Sequence, residues 1–379
     1  MALTHLAAAM TRTIQITLLA AFLVAALAFV LTTLTSNTSS QVAAAGRSAA
    51  DPVKVGVVTA LTGDFAFYGE STRAGVKLAE KDLAREGVYA QFIFEDAQTD
   101  AVKAVSAAQK LVAIDGVLGI YSEFNPAAIA ISSFVQGTNV LHVYDAAPVS
   151  PLKDNPLVYK TYIDVEVGCA NVAKYLKDSG VQSVGILKAQ IEFADLCEAG
   201  VKRVYGPNVP IEKYMLGDTD FRTQLLKLSQ SKPEAIFNVS FPAELVSSLR
   251  NMRQLGINAR VVTESDAVPP ELVSQKSEIL NGLITFGLPV VSNDFVERIR
   301  REVPDESVSF DAAAALGYIH AKHIARALAS CGTDSVCTQR AMDQATPEDV
   351  VGFGGFDNHV AKFTMPILEF RDGKFVDVK

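Results

Sequence analysis

Tryptophan is absent from this chain, and cysteine is scarce, with four residues in 379. Signatures of reaction chemistry are missing too: there is no GxSxG nucleophile elbow, no HExxH zinc helix and no P-loop. No reactive constellation is left on which to build an enzyme. Basic clusters are lacking as well. The net charge is −8, and residues 1–50 hold Arg12 and Arg47 with no acid, so the remainder is more acidic still. Without a basic stripe the chain has no electrostatic footprint for nucleic acid.

No cysteine pair is spaced as CxxC, and none precedes Cys169. Cys331 and Cys337 enclose CGTDSVC, which closes as a small disulfide loop in an oxidising compartment. Cys169 and Cys197 fall in two predicted helices and read as small core residues. His320 and His323 share a helical face, but no third ligand is evident, so they read as helix-surface residues and no metal is expected. Gly352-Phe353-Gly354-Gly355 follows helices instead of linking a strand to a helix, which excludes a dinucleotide fingerprint. No cofactor is expected.

What is present is an apolar opening and a long α/β body. Residues 14–34, IQITLLAAFLVAALAFVLTTL, carry no charge. Arg12 precedes them, and Ala43-Ala44-Ala45 and Ser48-Ala49-Ala50 follow a polar stretch. Basic, apolar and small segments in that order make an export signal. The run is also just long enough to span a bilayer, so residues 1–50 read as a signal peptide or an N-terminal membrane anchor. Either places the body outside the cytoplasm, periplasmic or extracellular.

After Pro52, β-branched runs alternate with amphipathic helices. Strands are predicted at 53–61, 89–97, 117–122 and 139–147, with helices at 70–86, 100–114 and 126–136 between them. The rhythm restarts with strands at 158–164, 183–190, 209–216, 234–240, 259–266 and 282–289. Strands this apolar, each followed by a helix, imply parallel sheets covered on both faces, and two series imply two doubly wound Rossmann-like lobes. Helices at 293–302 and 310–330 come next, then FGGFD, then strands FTMPILEF and KFVDVK joined at Asp372-Gly373, a hairpin signal.

The opening VKVGVVTALTGDFAFYGESTRAGVKLAEKDL resembles that of the leucine/isoleucine/valine-binding family, the type I periplasmic binding proteins of ABC transporters. The likeness lies in Leu61-Thr62-Gly63, Tyr68-Gly69 and Gly75, then Glu95-Asp96, Ala146-Ala147 and Gly355-Phe356-Asp357. It runs in order through residues 53–379. The resemblance implies two lobes joined by three crossovers, lobe one at 53–162 plus 288–364 and lobe two at 163–287 plus 365–379, with a ligand between them.

Ligands of doubly wound sheets sit beyond the carboxyl ends of the strands, which directs attention to the loops there. In lobe one these hold Tyr68, then Ser122-Glu123-Phe124-Asn125, then Asp145-Ala146-Ala147. Asn125 is expected to cap a helix that begins at Pro126, whose free N–H groups would seat a carboxylate. The backbone at Ala146 and Ala147 would approach the same anion. In lobe two, Phe193 and Phe241 occupy places where the family has aromatics over the ligand. Glu264 or Asp266 would hold an ammonium, since a buried carboxylate needs a cationic partner.

Two departures from the family matter. Its amino-acid receptors commonly carry hydroxyls where this chain has Glu123-Phe124-Asn125, and a threonine where it has Pro148. Both would serve a ligand carboxylate. The resemblance therefore implies an exported receptor that closes on a small polar ligand, an amino acid, amide or related compound, and delivers it to ABC-transporter permease subunits. A sensor of the same fold, anchored by residues 14–34 and signalling to a partner protein, is the second reading.

Overall fold

The computed structural model describes residues 51–287, 291–347 and 349–378. The export segment expected at 14–34 lies outside the described residues. Among those described, no helix is long and apolar enough to cross a membrane.

The first half builds one sheet from β1 (Val53–Thr59), β2 (Ala90–Asp96), β3 (Gly119–Glu123), β4 (Leu141–Asp145) and β5 (Val158–Lys160), all parallel. Between them run α1 (Ala66–Arg85), α2 (Ala101–Lys110) and α3 (Asn125–Val135). The pattern repeats in a second sheet of β6 (Val184–Ala189), β7 (Ile211–Tyr214), β8 (Ala235–Val239), β9 (Arg260–Glu264) and β10 (Ile284–Phe286). Helices α4 (Val165–Asp178), α5 (Glu192–Tyr205), α6 (Arg222–Ser229), α7 (Pro242–Gln254) and α8 (Pro270–Leu280) accompany it. Asp100 and Asp164 begin α2 and α4 by accepting the N–H three residues on, which satisfies an otherwise orphan donor.

The chain then returns to the first sheet. Helices α9 (Asn293–Glu302), α10 (Asp311–Cys331) and α11 (Ser335–Asp343) lead to β11 (Phe353–Asp357) and β12 (Val360–Phe363), which extend the sheet beyond β5. Asp82 of α1 draws these helices in, accepting from Arg298 and from the Tyr318 hydroxyl at 2.7 Å. Gly75 permits the contact of α1 with α10, since a Cβ there would stand 1.8 Å from the Ala314 carbonyl oxygen. Finally β13 (Ile367–Arg371) and β14 (Lys374–Asp377) join the second sheet beside β10. The result, among the described residues, is two lobes of seven strands each, linked by three crossovers, from β5 to α4, from β10 to α9 and from β12 to β13. Valine, isoleucine, leucine and alanine cover both faces of each sheet, as near-continuous apolar strands require.

Several expectations need correction. FTMPILEF is not one strand: Phe363 ends β12 in one sheet and Ile367 begins β13 in the other, with Pro366 in the passage between. A proline has no N–H for a ladder, which suits it to a crossover. FGGFD is itself a strand, and the helix at Ser335–Asp343 had no periodic signal long enough to register. Gly69, one of the glycines of the resemblance, is not in a loop. It lies inside α1, where a Cβ would meet the Ala60 carbonyl oxygen at 2.1 Å. His320 and His323 are not surface residues: they are 1 % and 4 % exposed, and both rings pack against Phe353. Cys331 and Cys337 are bonded, and Cys169 and Cys197, expected as separate core residues, form a second disulfide between α4 and α5. Asp372 and Gly373 both take positive φ, the turn that lets β13 and β14 pair.

Candidate ligand-binding site

Strand alternation sorts the residues at the carboxyl ends of the first sheet. Ser122 points to the face covered by α3, where its hydroxyl meets His142 Nε2 at 2.8 Å, so it does not line the cleft. Glu123 points the other way and is 1 % exposed. It accepts from the hydroxyls of Thr59 and Thr72. Its neighbour in register is Asp145, 4 % exposed, which accepts from the Tyr68 hydroxyl at 2.7 Å through Oδ2. Asp145 Oδ1 is buried without a hydrogen-bond partner.

Phe124 occupies the cap position of α3 at φ 70°, a region costly for a bulky side chain. That turn presents its ring to Phe65 and Tyr68, at centroid distances of 5.4 and 5.3 Å. Asn125 is therefore the first helical residue and not the cap. Its Oδ1 accepts the Ala147 N–H at 3.2 Å, which removes one donor from the anion seat expected at Ala146-Ala147.

The second lobe meets this cluster through the first crossover. Lys160, at the end of β5, donates to the carbonyls of Tyr162 and Ile163 at 2.8 and 3.1 Å. The Tyr162 hydroxyl then donates to Asp266 Oδ2 at 2.8 Å, and the Phe193 ring lies 6.4 Å from the Tyr162 ring. Glu264 is spent locally, accepting the Asp266 N–H at 2.9 Å and the Ser265 hydroxyl at 2.7 Å. Phe241 stands 42 % exposed just before α7.

Burial dominates the electrostatics. It pushes Glu123 up to about 8 against its threonine hydrogen bonds, with the Asp145 charge adding to the rise. Burial likewise lifts Asp145 to about 7, opposed by the Tyr68 hydrogen bond and assisted by the charge of Asp266. Asp266 rises to about 6 through burial, and Glu264 well above the usual carboxylate range through burial and then Asp266. Burial lowers Lys160 to about 8. The charge of Asp266, in the turn after β9, thus contributes to the rise at Asp145 at the end of β4. Among the described residues no group of His, Cys, Asp and Glu is arranged to hold a metal ion.

Residues 52–374 match the family model described as periplasmic binding protein. The chain belongs to that family. The periplasmic binding protein is 24 % identical to Leu/Ile/Val-binding protein homolog 2 of Brucella abortus over 88 % of this chain and 95 % of the relative. Its fold resembles that of a leucine-binding protein, LivK, from Thermotoga maritima, with TM-score 0.73, 20 % identity, and 86 % and 98 % of the two chains covered. A solute-binding protein of an ABC transporter from Rhodopseudomonas palustris, in complex with p-hydroxybenzoic acid, aligns with TM-score 0.76 at 18 % identity, covering 86 % and 95 %.

Sequence reasoning about this periplasmic binding protein missed Tyr162, Lys160, Thr59 and Thr72. Tyr162 was hidden because 158–164 reads as one strand, whereas the strand stops at Lys160 and releases the tyrosine into the crossover. The two threonines carry no signal of their own. They matter only because Glu123 is buried between them.

Proposed function

We propose that this periplasmic binding protein is an extracytoplasmic receptor that closes on a small polar ligand, an amino acid, amide or related compound, and delivers it to the permease of an ABC transporter. Polar groups from both lobes converge on one cleft, with Tyr162 of the first crossover hydrogen-bonded to Asp266 beyond β9, and this observation carries the reading. Hinge closure follows if a ligand touches both walls, because the closed form is favoured only by the ligand's extra affinity for it. Lobe one comprises 53–162 plus 288–364 and lobe two 163–287 plus 365–379, with export directed by the apolar run at 14–34.

Thermal denaturation of the purified protein against amino acids, amides, amines and aromatic acids tests the reading. A ligand at about a hundred times its dissociation constant adds about 2.7 kcal/mol of stability. The expected result is stabilisation by one chemical class together with a fall in radius of gyration by solution scattering. Stabilisation with no compaction would refute closure.

A further inference from the structure

Four carboxylates stand at or just beyond the carboxyl ends of the strands, Glu123 and Asp145 from one lobe and Glu264 and Asp266 from the other, with the Lys160 ammonium at the end of β5. Lys160 directs its ammonium at two backbone carbonyls. Glu123 is held by two threonine hydroxyls and Glu264 by its own turn. Asp145 keeps Oδ1 buried and unpartnered while its Oδ2 accepts from Tyr68, and β4, which it ends, pairs with β5, whose continuation carries Tyr162 to Asp266. A buried acceptor left empty is costly, so its partner is to be sought in the ligand. Three donors that could receive an anion are engaged elsewhere: Ser122 with His142, Ala147 N–H with Asn125, and Thr161 with the Tyr144 carbonyl. Acceptors are in surplus.

We propose that the cleft takes a small organic ammonium that bears N–H groups and no carboxylate, seated between Asp145 and Asp266 against the rings of Tyr68, Phe124, Tyr162 and Phe193. The proposal rests on the receptor reading above and narrows its ligand. An ammonium supplies the N–H that Asp145 Oδ1 lacks, offsets the mutual repulsion of the two aspartates, and lies favourably over aromatic faces. A carboxylate on the same ligand would bring like charge beside Glu123 and Asp145.

The test uses the full exported protein and titrates tyramine, phenethylamine, putrescine, ethanolamine, leucine, benzamide and 4-hydroxybenzoate by calorimetry. At least one of the four amines is expected to bind more tightly than the other three compounds. Its affinity should rise about tenfold from pH 6 to pH 8 as the cleft carboxyls lose protons, the facing groups being Tyr68, Glu123, Asp145, Lys160, Tyr162, Asp164, Glu264 and Asp266. Asp145→Asn and Asp266→Asn should each weaken that amine at least about tenfold, charge-assisted bonds being roughly twice as strong as neutral ones. The half-buried Asp266 serves if the Asp145 variant does not fold. Tighter binding of leucine, benzamide or 4-hydroxybenzoate overturns the ammonium proposal and leaves the receptor reading intact. If none of the seven compounds binds, both are overturned.

Discussion

The Tyr162 hydroxyl, carried on the first crossover, donates to Asp266 Oδ2 at 2.8 Å in the loop beyond β9. The first crossover and the loop beyond β9 are thereby tied by a hydrogen bond. Lys160 fixes the same stretch by holding the Tyr162 and Ile163 carbonyls.

Tyr162→Phe removes that bond while keeping the ring beside Phe193. Hydrogen bonds to charged groups contribute about 1.5–3 kcal/mol, so affinity for a bound ligand should fall at least about tenfold. Without the donor, the Asp266 carboxyl also rises further. Calorimetry with any ligand identified by thermal shift checks this. An unchanged dissociation constant would detach Tyr162 from the site.

The pH dependence of the empty protein should run opposite to the usual acid sensitivity. Glu123 titrates at about 8 when folded, above its ordinary 4.5, so the folded state keeps a proton that the unfolded chain has lost. The stability it confers is complete below the ordinary range and drains as the pH rises towards 8; Asp145, at about 7, behaves alike. Buried His142, His320 and His323 are shifted down, so their contribution grows up to about pH 6.5 and is constant above it. Lys160, lowered to about 8, adds stability only as the pH rises beyond that. Between pH 6.5 and 8 the ligand-free protein should therefore lose about 2–3 kcal/mol or more, the raised Glu264 and Asp266 acting in the same direction, and Glu123→Gln should lessen the slope without abolishing it. Urea unfolding at several pH values measures it, and a rise across that window would refute the assignment.

The Cys169–Cys197 bond closes a loop with a sequence separation of 28, against 6 for Cys331–Cys337. Loop entropy gives about 3–4 kcal/mol for the first and about 2 kcal/mol for the second. Cys169→Ala with Cys197→Ala should lower the unfolding free energy by more than the Cys331, Cys337 pair of alanines does. Chemical denaturation of both double variants ranks them, and the reverse order would sink the argument.

Gly75→Ala places a methyl 1.8 Å from the Ala314 carbonyl oxygen, where helix backbone must give way. Overpacking of this kind costs about 1–3 kcal/mol, so the melting temperature should fall by several degrees. Gly87→Ala is not the matching control, since φ there is +79°. Glycine to alanine within a helix otherwise gains about 1 kcal/mol of propensity, so a loss at Gly75 reports the clash.

Local pattern determined much of this molecule. Val53–Thr59, Ala90–Asp96 and their successors read as parallel strands because apolar β-branched runs need cover on both faces, and residues in sequence supply it. The tail did not read so well. Phe363 and Ile367 stand four residues apart yet serve different sheets, and no periodicity announces which sheet a short strand will join.

For the cleft, the sequence determined which carboxylates and aromatics are available at the strand ends, through strand spacing alone. Only the tertiary structure decided that Ser122 turns to His142, that Asn125 consumes the Ala147 N–H, and that the charge of Asp266 reaches Asp145 from 121 residues away. The reason is physical: strand parity and hydrogen bonding are short-ranged, whereas the field between two buried charges depends on how separate sheets are brought together, and that is fixed by the packing of the whole chain.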